Sequence, residues 1–171
     1  MVEERRVGLI PYLVVQGAMG PKEYGVLLTD RQTIFVLEKR SKAMMGGVLG
    51  GAIGAAIAHA ATSRRSFDYE NTPPDVLAAD PKNVAIPHGA MSSLQLKRTF
   101  GSYALKIEYT NVDGKQKKLQ AIVSPPPSLV KSRKAQGVNR KQASAEYANQ
   151  VREAFQAAMP PTVAARAEWR L

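Results

Sequence analysis

Cysteine is absent from the 171 residues. That removes disulfides, thiolate nucleophiles and cysteine metal sites together, and it suits a reducing, cytoplasmic setting. Histidine is nearly absent too: His59 lies inside an Ala/Gly run and His88 in an expected turn. Neither H-x-x-x-H nor H-E-x-x-H occurs, so no metal site is expected. No G-x-S-x-G precedes His88 to supply a nucleophile. The carboxylates form no paired constellation, and Asp68 and Glu70 read as solvated loop charges. The N-terminal "MVEERRVGLIPYLVV" has two acids before its arginines and Pro11 within its apolar run, which lacks the pattern of a signal peptide. No catalytic residue and no cofactor are expected, and the chain does not read as an enzyme.

Acid is scarce in one half only. Residues 1–80 hold nine Lys/Arg and nine Asp/Glu, whereas 81–171 hold fifteen against five, which accounts for the whole net charge of +10. The second half should therefore attract polyanions, either anionic lipid headgroups or RNA.

Strand signals come first along the chain. "VGLIPYLVVQG" (7–17) is β-branched and aromatic, with Pro11 marking an edge or bulge. Tyr24–Thr29 and Thr33–Glu38 read as two strands joined by a tight turn at Asp30-Arg31. Thr72 is a candidate N-cap for a short helix over 73–79. "NVAIP", "MSSLQLKRT", "SYALKIEYT" and "KKLQAIV" return to strand, with Tyr103, Leu105, Ile107 and Tyr109 on one face and a hairpin turn at Asp113-Gly114. "SPPPS" (124–128) stops the sheet. Around Ser144 an amphipathic helix opens, with Tyr147, Val151, Phe155 and Met159 as its apolar stripe, closed by Pro160-Pro161. The last ten residues read as a tail anchored by Trp169 or a short docking segment. About seven short antiparallel strands and one amphipathic helix give an α+β protein: a small curved sheet or partly open barrel capped by the helix.

"GVLLTDRQTIFVLEK" (25–39) and "VAIPHGAMSSLQLKR" (84–98), with the C-terminal helix after them, resemble the pleckstrin-homology-like superfold, in particular its prokaryotic GRAM-type branch. The likeness covers about three-quarters of the chain. It implies one domain over 1–159 with an insertion at 40–82, then a tail over 160–171. His88 stands where that pattern usually has an aromatic. The resemblance implies a non-enzymatic module for lipid, membrane surface or peptide, and it transfers no ligand-contacting residue.

The insertion carries "MMGGVLGGAIGAAIAHAA" (44–61), eighteen residues without a charge. Its glycines lack the G-x-G-x-x-G spacing and no Gly-Lys-Ser/Thr follows, so it is not a phosphate loop. At helical spacing Met45, Leu49, Ile53 and Ile57 make a ridge, while Gly46, Gly50, Gly54 and Ala58 make a smooth groove that lets another backbone approach. Each glycine costs about 1 kcal/mol of helix propensity, so the five disfavour an isolated helix by roughly 5 kcal/mol. Three environments could compensate: a bilayer entered as a re-entrant hairpin, a second copy of the chain in a homo-oligomer, or the protein's own sheet.

Basic residues cluster at Lys115, Lys117 and Lys118, and again at Lys131, Arg133, Lys134, Arg140 and Lys141, with Lys97 and Arg98 a third group. Near an anionic leaflet each is worth about 1 kcal/mol. Two functions are expected. The first is a membrane-associating or protein-binding adaptor, peripheral at the inner face of the membrane, engaging anionic lipid through the Gly/Ala run and the basic half. The second is an RNA- or ribosome-binding protein whose glycine run packs internally or on a partner. Aromatics that could stack on bases are missing between 110 and 146, which favours lipid.

Overall fold

One proline sets the irregularity of the long N-terminal hairpin. The computed structural model describes residues 4–17, 20–38, 68, 69 and 71–171. Strand β1 (Arg6–Gly17) pairs antiparallel with β2 (Gly20–Thr29). Pro11 offers no N–H to the ladder, and the register shifts between Ile10 and Leu13, so Pro11 and Tyr12 together oppose Gly25. This is the expected bulge. The backbone of Tyr12 finds its partner elsewhere: the Tyr147 hydroxyl accepts from its N–H at 3.2 Å and donates to its carbonyl at 2.7 Å.

Strand β3 (Gln32–Leu37) follows the turn at Asp30-Arg31. Within that turn Thr29 Oγ1 accepts from the backbone N–H groups of Arg31 and Gln32. Strands β4 (Val84–Pro87), β5 (Met91–Thr99), β6 (Ser102–Thr110) and β7 (Gln116–Val123) complete two antiparallel meanders. A 3-10 turn at His88–Ala90 links β4 to β5. The Asp113-Gly114 turn forms as expected, with Gly114 at φ 74° and Asn111 Oδ1 accepting from the N–H groups of Asp113 and Lys115. The meanders meet where Val14 and Val15 of β1 pair with Ile122 and Ala121 of β7.

Among the described residues the sheet has eight strands in the order β4-β3-β2-β1-β7-β6-β5-β8, and it is open and mixed rather than seven-stranded and purely antiparallel. The additional strand is β8 (Glu168–Arg170), within the segment read as a tail or a short docking segment, and it runs parallel to β5. Trp169 packs against the core from there, so apolar burial holds the segment on the sheet.

Helix α1 is Pro74–Ala79, α2 Pro127–Ala135, α3 Arg140–Ala158 and α4 Pro161–Ala164. Two expected starts are corrected. Pro73, not Thr72, caps α1 without a side-chain hydrogen bond, because the two prolines already hold the first turn in helical φ. Helix α3 begins four residues before Ser144, capped by Asn139, whose Oδ1 accepts from the Gln142 N–H at 2.8 Å. The stripe Tyr147, Val151, Phe155 and Met159 is buried as expected. Ala148, Ala154 and Ala158 are buried beside it and let α3 approach β1, β2, β6 and β7 closely.

Six consecutive residues of β2 and four of β3 are buried because both faces of this half-sheet are covered. Tyr24, Val26, Leu28 and Phe35 face the main core beneath α3. Leu9, Leu27, Ile34 and Val36 face outward, under Leu77 of α1 and Tyr69. The described residues flanking the insertion meet its second part at one point. Asn83 accepts from the Leu37 N–H and donates to the Leu77 carbonyl, and the Tyr69 hydroxyl donates to Glu38.

Candidate functional site

The basic stretch 128–142 becomes two helices joined by a turn at Gly137, which has φ 79°. Helix α2 starts at Pro127, the last of the sheet-ending prolines, and Leu129 is its buried anchor. Lys131 and Lys134 are exposed on it. Arg133 differs from them: its guanidinium is paired with Glu146 of α3 and also donates to Gln136 Oε1 at 2.8 Å. It therefore locks α2 onto α3 rather than facing outward. Arg140 and Lys141 are exposed in the first turn of α3, which contains no acidic residue. Cations there face the positive end of the helix dipole, an arrangement unfavourable to the helix and attractive to an anion.

The other expected cluster is a separate surface. Lys115 lies in the β6–β7 turn, and Lys117 and Lys118 lie at the start of β7. All three are exposed, but α2 leaves from the opposite end of that eight-residue strand. At about 3.3 Å per residue the two groups are roughly 26 Å apart along β7. Lys118 is opposite Glu108 in the ladder, and Glu108 is bonded to Lys106 at 3.0 Å. That bond holds the Glu108 carboxyl below its ordinary value and the Lys106 ammonium above its own. The β6–β7 side is thus partly neutralised, and α2 with the start of α3 is the stronger basic face.

Lys97 and Arg98 gain a companion that no local signal reveals. The β5–β8 pairing sets Arg170 beside Lys97. Arg170 lies next to Glu168, at 3.1 Å, and its side chain is still 75% exposed. Met45, Gly46, Leu49, Gly50, Ile53, Gly54, Ile57 and Ala58, expected to carry membrane or self-association, lie outside the described residues, as does His59.

His88 is buried. Its N–H donates to the Arg31 carbonyl and its Nε2 lies 3.3 Å from Thr33 Oγ1, while Nδ1 has no partner among the described residues. Burial lowers its pKa, outweighing the opposite pull of Glu4 and Asp30. Among the described residues no group of three or more His, Asp or Glu side chains is arranged to hold a metal ion. Likewise, among those residues no helix is long and apolar enough to cross a membrane. No protein family, curated protein or solved structure matches the chain.

Proposed function

We propose that the protein is a non-enzymatic, pleckstrin-homology-like module that docks on an anionic lipid surface through its basic second half. The fold part of this reading is supported by the two meanders joined through β1 and β7, with an amphipathic helix after the seventh strand. Strand β8 and helices α1, α2 and α4 are additions to that plan. The single observation that carries the function is the exposed group Lys131, Lys134, Arg140 and Lys141, on α2 and the acid-free first turn of α3. Four such residues near a leaflet supply about 4 kcal/mol, enough for reversible peripheral attachment.

Co-sedimentation with vesicles tests it. The intact chain should bind phosphatidylglycerol-containing vesicles, ignore pure phosphatidylcholine, and release as salt rises. Replacing the four cations with Glu should abolish binding while the protein stays folded. Failure of the intact chain to bind the anionic vesicles overturns the proposal. Binding to RNA without binding to vesicles replaces it with the nucleic-acid function.

A further inference from the structure

Phe100 and Gly101 form the two-residue turn between β5 and β6, and Gly101 takes φ 78°. The residues on either side are tied across the turn: Thr99 Oγ1 donates to the Ser102 carbonyl at 3.2 Å and lies 3.0 Å from Ser102 Oγ. A turn this short leaves its first residue no route back to either face of the sheet. Phe100 is accordingly 108% exposed, more than in an extended peptide. Isolated apolar residues on a surface are ordinary, so the surroundings decide what this one means. Lys97 and Arg98 precede it on β5, and Arg170 is brought beside Lys97 by β8. Lys97, Arg98 and Arg170 flank the aromatic tip, with the Glu168 carboxylate beside Arg170. Val112 in the β6–β7 turn is also fully exposed, at 101%, with Asp113 next to it and Lys115, Lys117 and Lys118 following. Both tips are basic, but only the β5–β6 tip carries an aromatic ring and lies at the end of the sheet where β7 hands over to α2.

We infer that the β5–β6 hairpin is a membrane anchor: Phe100 enters the headgroup–acyl boundary while Lys97, Arg98 and Arg170 contact anionic headgroups. An aromatic ring is suited to that boundary, where apolar burial adds to electrostatic attraction. The chain leaves β7 for α2 at the same end of this half-sheet, because Tyr103 at the start of β6 pairs with Val123 at the end of β7. The inference rests on the lipid-surface function proposed above and adds the residue that penetrates.

Phe100→Ala should unfold at the temperature of the unaltered protein, since the ring has almost no contacts to lose, and should bind phosphatidylglycerol-containing vesicles roughly tenfold more weakly. Phe100→Trp in a Trp169→Phe background should shift its emission to the blue on those vesicles and be quenched by lipids brominated in the acyl chain. Should Trp169→Phe not fold, sedimentation of Phe100→Ala and Phe100→Trp with Trp169 retained still tests the anchor. Anionic-vesicle binding by the intact chain that Phe100→Ala leaves unchanged overturns the anchor alone. An emission shift without vesicles overturns it in favour of self-association. Absence of vesicle binding by the intact chain removes the parent proposal and the anchor with it.

Discussion

At Tyr12, within the bulge made by Pro11, the Tyr147 hydroxyl accepts from the N–H and donates to the carbonyl. An unpaired backbone group out of reach of water costs about 1–3 kcal/mol. Tyr147→Phe keeps the ring, which is only 2% exposed, and removes the bridge. It should lower unfolding stability by about 1–3 kcal/mol in urea titration, more than the loss of a solvated hydroxyl would. A change of under a few tenths of a kcal/mol would mean that solvent or a neighbour satisfies Tyr12. The spacing of Tyr147, Val151, Phe155 and Met159 marked this residue as core. Its hydrogen bonds depend on a contact 135 residues away in sequence, to which local periodicity is blind.

Helix α3 sets stability against binding at its first turn. Arg140 and Lys141 oppose the dipole while Asn139 caps the backbone. Lys141→Glu exchanges an unfavourable charge for a favourable one, worth about 1 kcal/mol, which for a chain of this length is about 2–4 °C in Tm. The same change should weaken anionic-vesicle binding. A rise in Tm with unaltered vesicle affinity would exclude Lys141 from the docking face. Helices α2 and α3 also explain why a run of basic residues is not uniform. Arg133 points toward Glu146 of the next helix, whereas Lys131 and Lys134 point to solvent. Charge density is visible in a sequence, but the rotation of each residue about its helix axis and the neighbour it meets are not.

For the molecule as a whole, His88 couples stability to pH. It is the one histidine among the described residues, and burial holds its folded pKa below the ordinary 6.5. The unfolded chain therefore binds the proton more readily than the folded one. This contribution to stability is complete above about pH 6.5 and is lost as pH falls from there to the lower folded value. Thermal unfolding between pH 7.5 and 5.5 should show a falling Tm, and His88→Phe should flatten that slope over the range. An unchanged slope in the variant would assign the effect to titratable groups other than His88.

Strand alternation, the proline bulge, the Asp113-Gly114 turn and the α3 stripe were all determined by the sequence alone, because each depends on residues within a few positions of one another. So was the asymmetry of charge. Three things were decided only by tertiary structure: the parallel docking of Glu168–Arg170 on β5, the covering of both faces of β2 and β3, and the division of the basic half into separate surfaces. Each joins segments far apart in the chain, where the outcome depends on which buried area and which edge are left open once the local elements have formed.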